Sequence, residues 1–137
     1  MYIVSTMWGS LPPMTVNGSL RLLVKVTAGQ GDAERCAQAF TVAATAVASG
    51  VETSLWLTGD AAWFALPGRA ADFELAGSAP LEDLLETVLA MGAVTVCTQC
   101  AERRGFTAAD CLAGIRIAGA TAFVEEAVTP GTQALVY

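Results

Sequence analysis

Short β-rich runs alternate with helix-periodic stripes along this sequence, and that alternation limits the fold more than any other feature. Residues 20–26 (LRLLVKV) are strand formers closed by the turn T-A-G-Q-G. From Asp32 the period becomes helical. Cys36, Ala37, Phe40, Ala44, Val47 and Ala48 fall on one face and Glu34, Gln38, Thr41 and Thr45 on another, with Gly50 as the stop. Residues 51–58 (VETSLWLT) predict a second strand, residues 61–66 a short helical piece, and Pro67-Gly68 its end. Residues 69–79 carry no usable period. Pro80 then opens a helix whose stripe of Leu81, Leu84, Leu85, Val88 and Leu89 lies opposite Glu82, Asp83 and Glu86.

The rhythm continues to the end of the chain. Residues 93–97 (AVTVC) predict a third strand, and residues 99–104 a helical turn. T-A-A-D at 107–110 resembles a capping box that starts a short helix carrying Cys111. A brief extended step at 115–117, a helix at 119–128 and a strand at 133–136 complete the pattern. Strands alternating with helices specify a mainly parallel sheet covered on both faces, a three-layer α/β/α sandwich of Rossmann-like type. The 137 residues suffice for one such domain, read here as residues 20–137. Residues 1–19, with Gly9, Pro12, Pro13 and Gly18, read as an extended arm.

Composition excludes several functions. Thirteen acidic residues against seven basic ones give a net charge of -6, the wrong sign for a general binder of phosphate backbones, so no direct nucleic-acid partner is expected. Every apolar run is interrupted well short of the roughly 20 residues a spanning helix needs, so no membrane segment is expected either. The first nineteen residues lack the basic start and continuous apolar core of a signal peptide, which points to the cytoplasm. Only 15% of residues are charged while 54% are hydrophobic, a surface too apolar to stand alone; a homo-oligomer is expected.

The chemistry concentrates in residues 96–105, VCTQCAERRG. Cys97 ends a strand, and functional groups collect at the carboxyl ends of parallel strands. The following turn directs backbone N–H groups at its thiol, and Arg103 and Arg104 add charge of the sign that favours thiolate. In a helical segment Cys100 shares a face with one of these arginines. Against this stands the commonest fate of cysteine, a small inert core residue. Cys36, on the apolar stripe of the first helix, reads that way; Cys111, in a polar short helix, is a further candidate thiol. One close cysteine pair and no histidine make a poor zinc site, so no metal is expected. Neither T-A-G-Q-G nor T-G-D has the P-loop lysine and hydroxyl or the three-glycine dinucleotide fingerprint, and no cofactor is expected. Without histidine no Ser or Cys triad of the usual kind can form. Trp8, Trp56, Trp63 and Phe64 read as core or subunit contacts in preference to a cleft lining.

With these residues in place the chain resembles the DsrE/DsrF-like family of small sulfur-relay proteins over residues 20–137. The resemblance runs through LLVKV into T-A-G-Q-G-D-A-E-R, LWLTGDAAWF, PLEDLLETVLAMGA, VTVCTQCAERRGF and AGATAFVEEAVTPGTQALVY. Its specific part is Cys97 followed by Ala101, Arg103, Arg104 and Gly105. The resemblance implies a three-layer fold, oligomers of small subunits, and Cys97 as a sulfurtransferase-type acceptor that holds sulfane sulfur as a persulfide. Its partners would be persulfide donor and acceptor proteins or small sulfur compounds. Cys100 is a second thiol that would discharge the persulfide internally by forming a disulfide. Two alternatives share the scaffold: a non-catalytic oligomeric protein that binds small molecules or partners, and a thiol–disulfide redox protein using Cys97 and Cys100.

Overall fold

The structure, a computed structural model, describes residues 20–137; the arm expected over residues 1–19, with Trp8, lies outside them. Five strands, β1 (Arg21–Val26), β2 (Glu52–Leu57), β3 (Ala93–Cys97), β4 (Ile115–Ala118) and β5 (Thr132–Val136), form one sheet in the order β4-β3-β2-β1-β5. All four pairings are parallel. The helices are α1 (Ala33–Ala48), α2 (Leu81–Met91), α3 (Thr98–Arg103) and α4 (Ala120–Ala127).

Strand order decides which face each helix covers. From β1 to β4 the chain steps across the sheet in one direction, and right-handed crossovers put α1 and α2 together on one face. The connection from β4 to β5 runs the opposite way across the full sheet, so α4 lies on the other face. There Phe123 meets Trp56 edge-to-face with ring centroids 5.2 Å apart. The alternation of side chains along each strand separates the two surfaces. Val24, Val26, Leu55, Leu57, Val94 and Val96 pack under α1 and α2 against Phe40, Ala43, Leu81, Leu85 and Val88. Burial of each of the larger side chains contributes roughly 1.5–3 kcal/mol. The opposite face presents Lys25, Trp56, Thr95 and Arg116, which stand in register across four adjacent strands.

That opposite face carries a polar clasp. Glu126 on α4 accepts hydrogen bonds from Ser54 Oγ at 2.6 Å and Trp56 Nε1 at 3.3 Å, and pairs with Arg116, whose Nε also donates to Thr95 Oγ1 at 3.0 Å. Partial burial pushes the Glu126 carboxyl up, but the bonds from Ser54, Arg116 and Trp56 and the charge of Arg116 outweigh it and hold the group below its ordinary value.

Several elements depart from the periodicity. Ala48, placed on the apolar stripe of α1 by its spacing, is exposed because the buried stripe ends one residue earlier, at Val47. The piece expected over 61–66 is a 3₁₀ helix, Gly59–Ala65, whose small residues Ala61, Ala62 and Ala65 let the tighter coil sink into the core. At T-A-A-D the capping pattern forms, with Thr107 N–H donating to Asp110 at 2.9 Å, but only a single 3₁₀ turn follows, Ala108–Asp110. Leu112 N–H is drawn to the Ala65 carbonyl at 2.8 Å, which takes the chain out of helix just after Cys111.

Candidate functional site

Cys97 occupies the last position of β3 and directly precedes α3, so its side chain stands at the carboxyl edge of the sheet, half-buried. It shares a strand face with Thr95 and therefore with the Lys25–Trp56 row. Partial burial pushes its thiol up; the backbone N–H and the thiol of Cys100, the backbone N–H of Gln99 and the charge of Lys25 together outweigh burial and hold it below the ordinary thiol value. Lys25, from β1, is a cationic group that contributes to this lowering.

The arginines do other work. Arg104 donates to the Cys100 carbonyl at 3.1 Å and to Asp60 Oδ1 at 3.0 Å, tying α3 to the 3₁₀ helix. Its guanidinium lies 5.8 Å from the Trp63 ring centroid, and that of Arg69 lies 4.3 Å from the same ring. Trp63, Phe64, Asp60, Arg69 and Phe73 line a depression of about 540 Å³ beside this strut. Arg103 is exposed, and Gly105 ends the segment with a left-handed φ of 76°.

Cys100 is buried on the inner side of α3, and its Sγ accepts the Gly59 N–H at 3.2 Å. The other two cysteines stand apart from this arrangement. Cys111 donates to the Thr107 carbonyl at 3.5 Å within its own turn, and burial and the Asp110 carboxylate push its thiol up. Cys36 is fully buried, and burial, helped by Asp32, pushes it up to about 12.

Two participants escaped the sequence reading. Lys25 is the only lysine of the sequence and interrupts the apolar residues 22–26, a signal that the run LRLLVKV does contain. Gly59 contributes a backbone N–H, which no residue type announces.

The DsrE/DsrF-like family model matches residues 21–129, a span that holds every element but β5 and includes both Cys97 and Cys100. The chain belongs to the DsrE/DsrF-like family. Among solved structures, this DsrE/DsrF-like chain superposes on the ychN protein from E. coli with a TM-score of 0.71 at 18% identity, covering 87% of this chain and 99% of that one. It superposes on MTH1491 from Methanobacterium thermoautotrophicum, a protein of unknown function, with a TM-score of 0.63 at 12% identity, covering 87% and 100%. At such identities the likeness is one of fold. No curated protein matches the chain significantly.

Proposed function

We propose that this DsrE/DsrF-like protein is a sulfur carrier that accepts sulfane sulfur on Cys97 and passes it to a partner thiol. The observation that carries the reading is the environment of Cys97, a half-buried thiol at a strand end with two backbone N–H groups and a lysine charge favouring its thiolate. The thiolate attacks the outer sulfur of a donor persulfide; the new bond joins Cys97 Sγ to that sulfur, and the donor leaves as a thiolate that takes up a proton. An acceptor thiolate then attacks the same outer sulfur and Cys97 leaves. No net oxidation occurs, so the protein has only to supply an ionised thiol, shelter and a docking surface. Among the described residues no helix is long and apolar enough to cross a membrane. The cytoplasm, where thiols stay reduced, is the compartment this chemistry suits.

Intact-mass spectrometry after exposure to a persulfide donor tests the reading. The wild-type chain gains one reducible sulfur, and Cys97→Ser gains none. An adduct that survives the substitution would remove Cys97 from the role and favour the binding-protein alternative.

The carrier is further proposed to be a homo-oligomer. Support comes from the α4 side of the molecule, where no residue of α4 is buried and Val124, Val128 and Val136 are 55%, 72% and 64% exposed. Light scattering is expected to give a multiple of the 14.1 kDa chain mass, and Val128→Asp to shift it toward the monomer. A monomeric wild type at micromolar concentration would overturn the proposal.

A further inference from the structure

We propose that Cys100 discharges the Cys97 persulfide from within, releasing sulfide and leaving a Cys97–Cys100 disulfide, whenever no acceptor thiol docks. The inference rests on Cys97 as the sulfur acceptor and adds a second outcome for the sulfur it holds. Three features support it. The spacing places Cys100 three residues after Cys97, in the first turn of α3, where its N–H and thiol both favour the Cys97 thiolate. Cys100 is buried on the inner side of the helix, out of reach of protein partners, so its natural target is its neighbour. Its Sγ is also held by the Gly59 N–H at 3.2 Å, while Arg104 anchors its backbone carbonyl.

The step balances without any added oxidant. Cys100 gives up its proton and attacks the inner sulfur, Cys97 Sγ. The Sγ–Sγ bond forms, the bond between Cys97 Sγ and the outer sulfur breaks, and that sulfur departs with the electron pair as hydrosulfide, taking up the proton. The sulfane sulfur is reduced by two electrons and the two thiols are oxidised by two. An external dithiol then reduces the disulfide and resets the pair. Half-buried Cys97 thus serves both fates, and the choice between them is kinetic: a docked acceptor takes the outer sulfur before Cys100 attacks the inner one.

The test is a single turnover. Reduced protein is loaded briefly with inorganic polysulfide, desalted, and followed by intact mass and sulfide release. The wild-type chain is expected to release one sulfide per chain as its adduct is replaced by a species two hydrogens lighter than the reduced protein. In Cys100→Ser, and in Cys100→Ala as a second variant checked for native unfolding behaviour, the one-sulfur adduct should persist at least about tenfold longer, because an intramolecular nucleophile has been removed. Equal adduct lifetimes in wild type and both variants would overturn the proposal, as would a disulfide formed without sulfide. If no chain takes up sulfur at all, the carrier reading itself fails; a stable wild-type adduct on Cys97 removes only the internal discharge.

Discussion

Titrated with iodoacetamide at neutral pH, the protein loses Cys97 first and Cys36 last. Burial and Asp32 push Cys36 from the ordinary 9.0 up to about 12, which cuts its thiolate fraction about a thousandfold relative to an unperturbed thiol. A more basic thiolate is intrinsically more nucleophilic, and with a Brønsted slope near ~0.45 this returns roughly a factor of 20. Ionisation alone therefore leaves Cys36 about fiftyfold slower than an ordinary thiol. Its complete burial closes the remaining access. Cys97 lies on the other side of the ordinary value, half-exposed and held down by the Cys100 and Gln99 N–H groups and by Lys25. Its rate should follow a pH profile whose midpoint falls below that of a free thiol and moves upward in Lys25→Gln. Cys111, pushed up by burial and by Asp110, reacts between these limits. Peptide mapping of early alkylation gives the order. If Cys111 or Cys36 is modified as fast as Cys97, the electrostatic account of the site is wrong.

The fold was legible because its signals are local and repeat. Residues 93–97 form β3 as expected, and the stripe of α2 buries Leu81, Leu85 and Val88 with Leu84 and Leu89 at its margins. Gly50, read as the stop of α1, does end it, in a left-handed conformation with φ of 84°. The misreadings occur where tertiary contacts override period. Residues 61–66 are equally compatible with α and 3₁₀ coils, and the choice falls to the buried alanines. At Cys111 the helix predicted by a correct capping signal stops after one turn because Leu112 finds a partner in Ala65, a residue 47 positions earlier.

The site was legible in part. Cys97 at a strand end follows from the alternation of elements, and Cys100 beside it follows from helical spacing. The contribution of Lys25 did not follow, because sequence proximity drew attention to Arg103 and Arg104. In a parallel sheet, charge near a strand's carboxyl end also comes from other strands, and Lys25 acts on Cys97 from β1, two strands away. Arg104, seven residues on in sequence, pairs with Asp60.

Gly59→Ala is expected to unfold the protein more readily and to disturb the thiol pair in the same step. Gly59 has a φ of 53°, in the left-handed region, and a Cβ built there would stand 2.8 Å from the Thr27 carbonyl oxygen. Thr27 is poorly placed to yield. Its N–H and hydroxyl both hold the Tyr137 carbonyl, at 2.9 and 2.8 Å, and its own carbonyl accepts the Asp60 N–H at 3.2 Å. The 3₁₀ helix must then move, drawing the Gly59 N–H off Cys100 Sγ. Left-handed backbone strain together with the clash should cost about 2–4 kcal/mol, read as a lower denaturant midpoint. Gly68→Ala separates the two contributions, since Gly68 has a φ of 81° but nothing within 4 Å of a Cβ, and so carries the backbone cost alone, about 1–2 kcal/mol. If Gly59→Ala is no more destabilising than Gly68→Ala, the close approach at Thr27 is not what fixes this turn. If it is more destabilising and Cys100 at the same time becomes open to alkylation, the contact that packs the 3₁₀ helix onto the sheet is also the one that seats the second thiol.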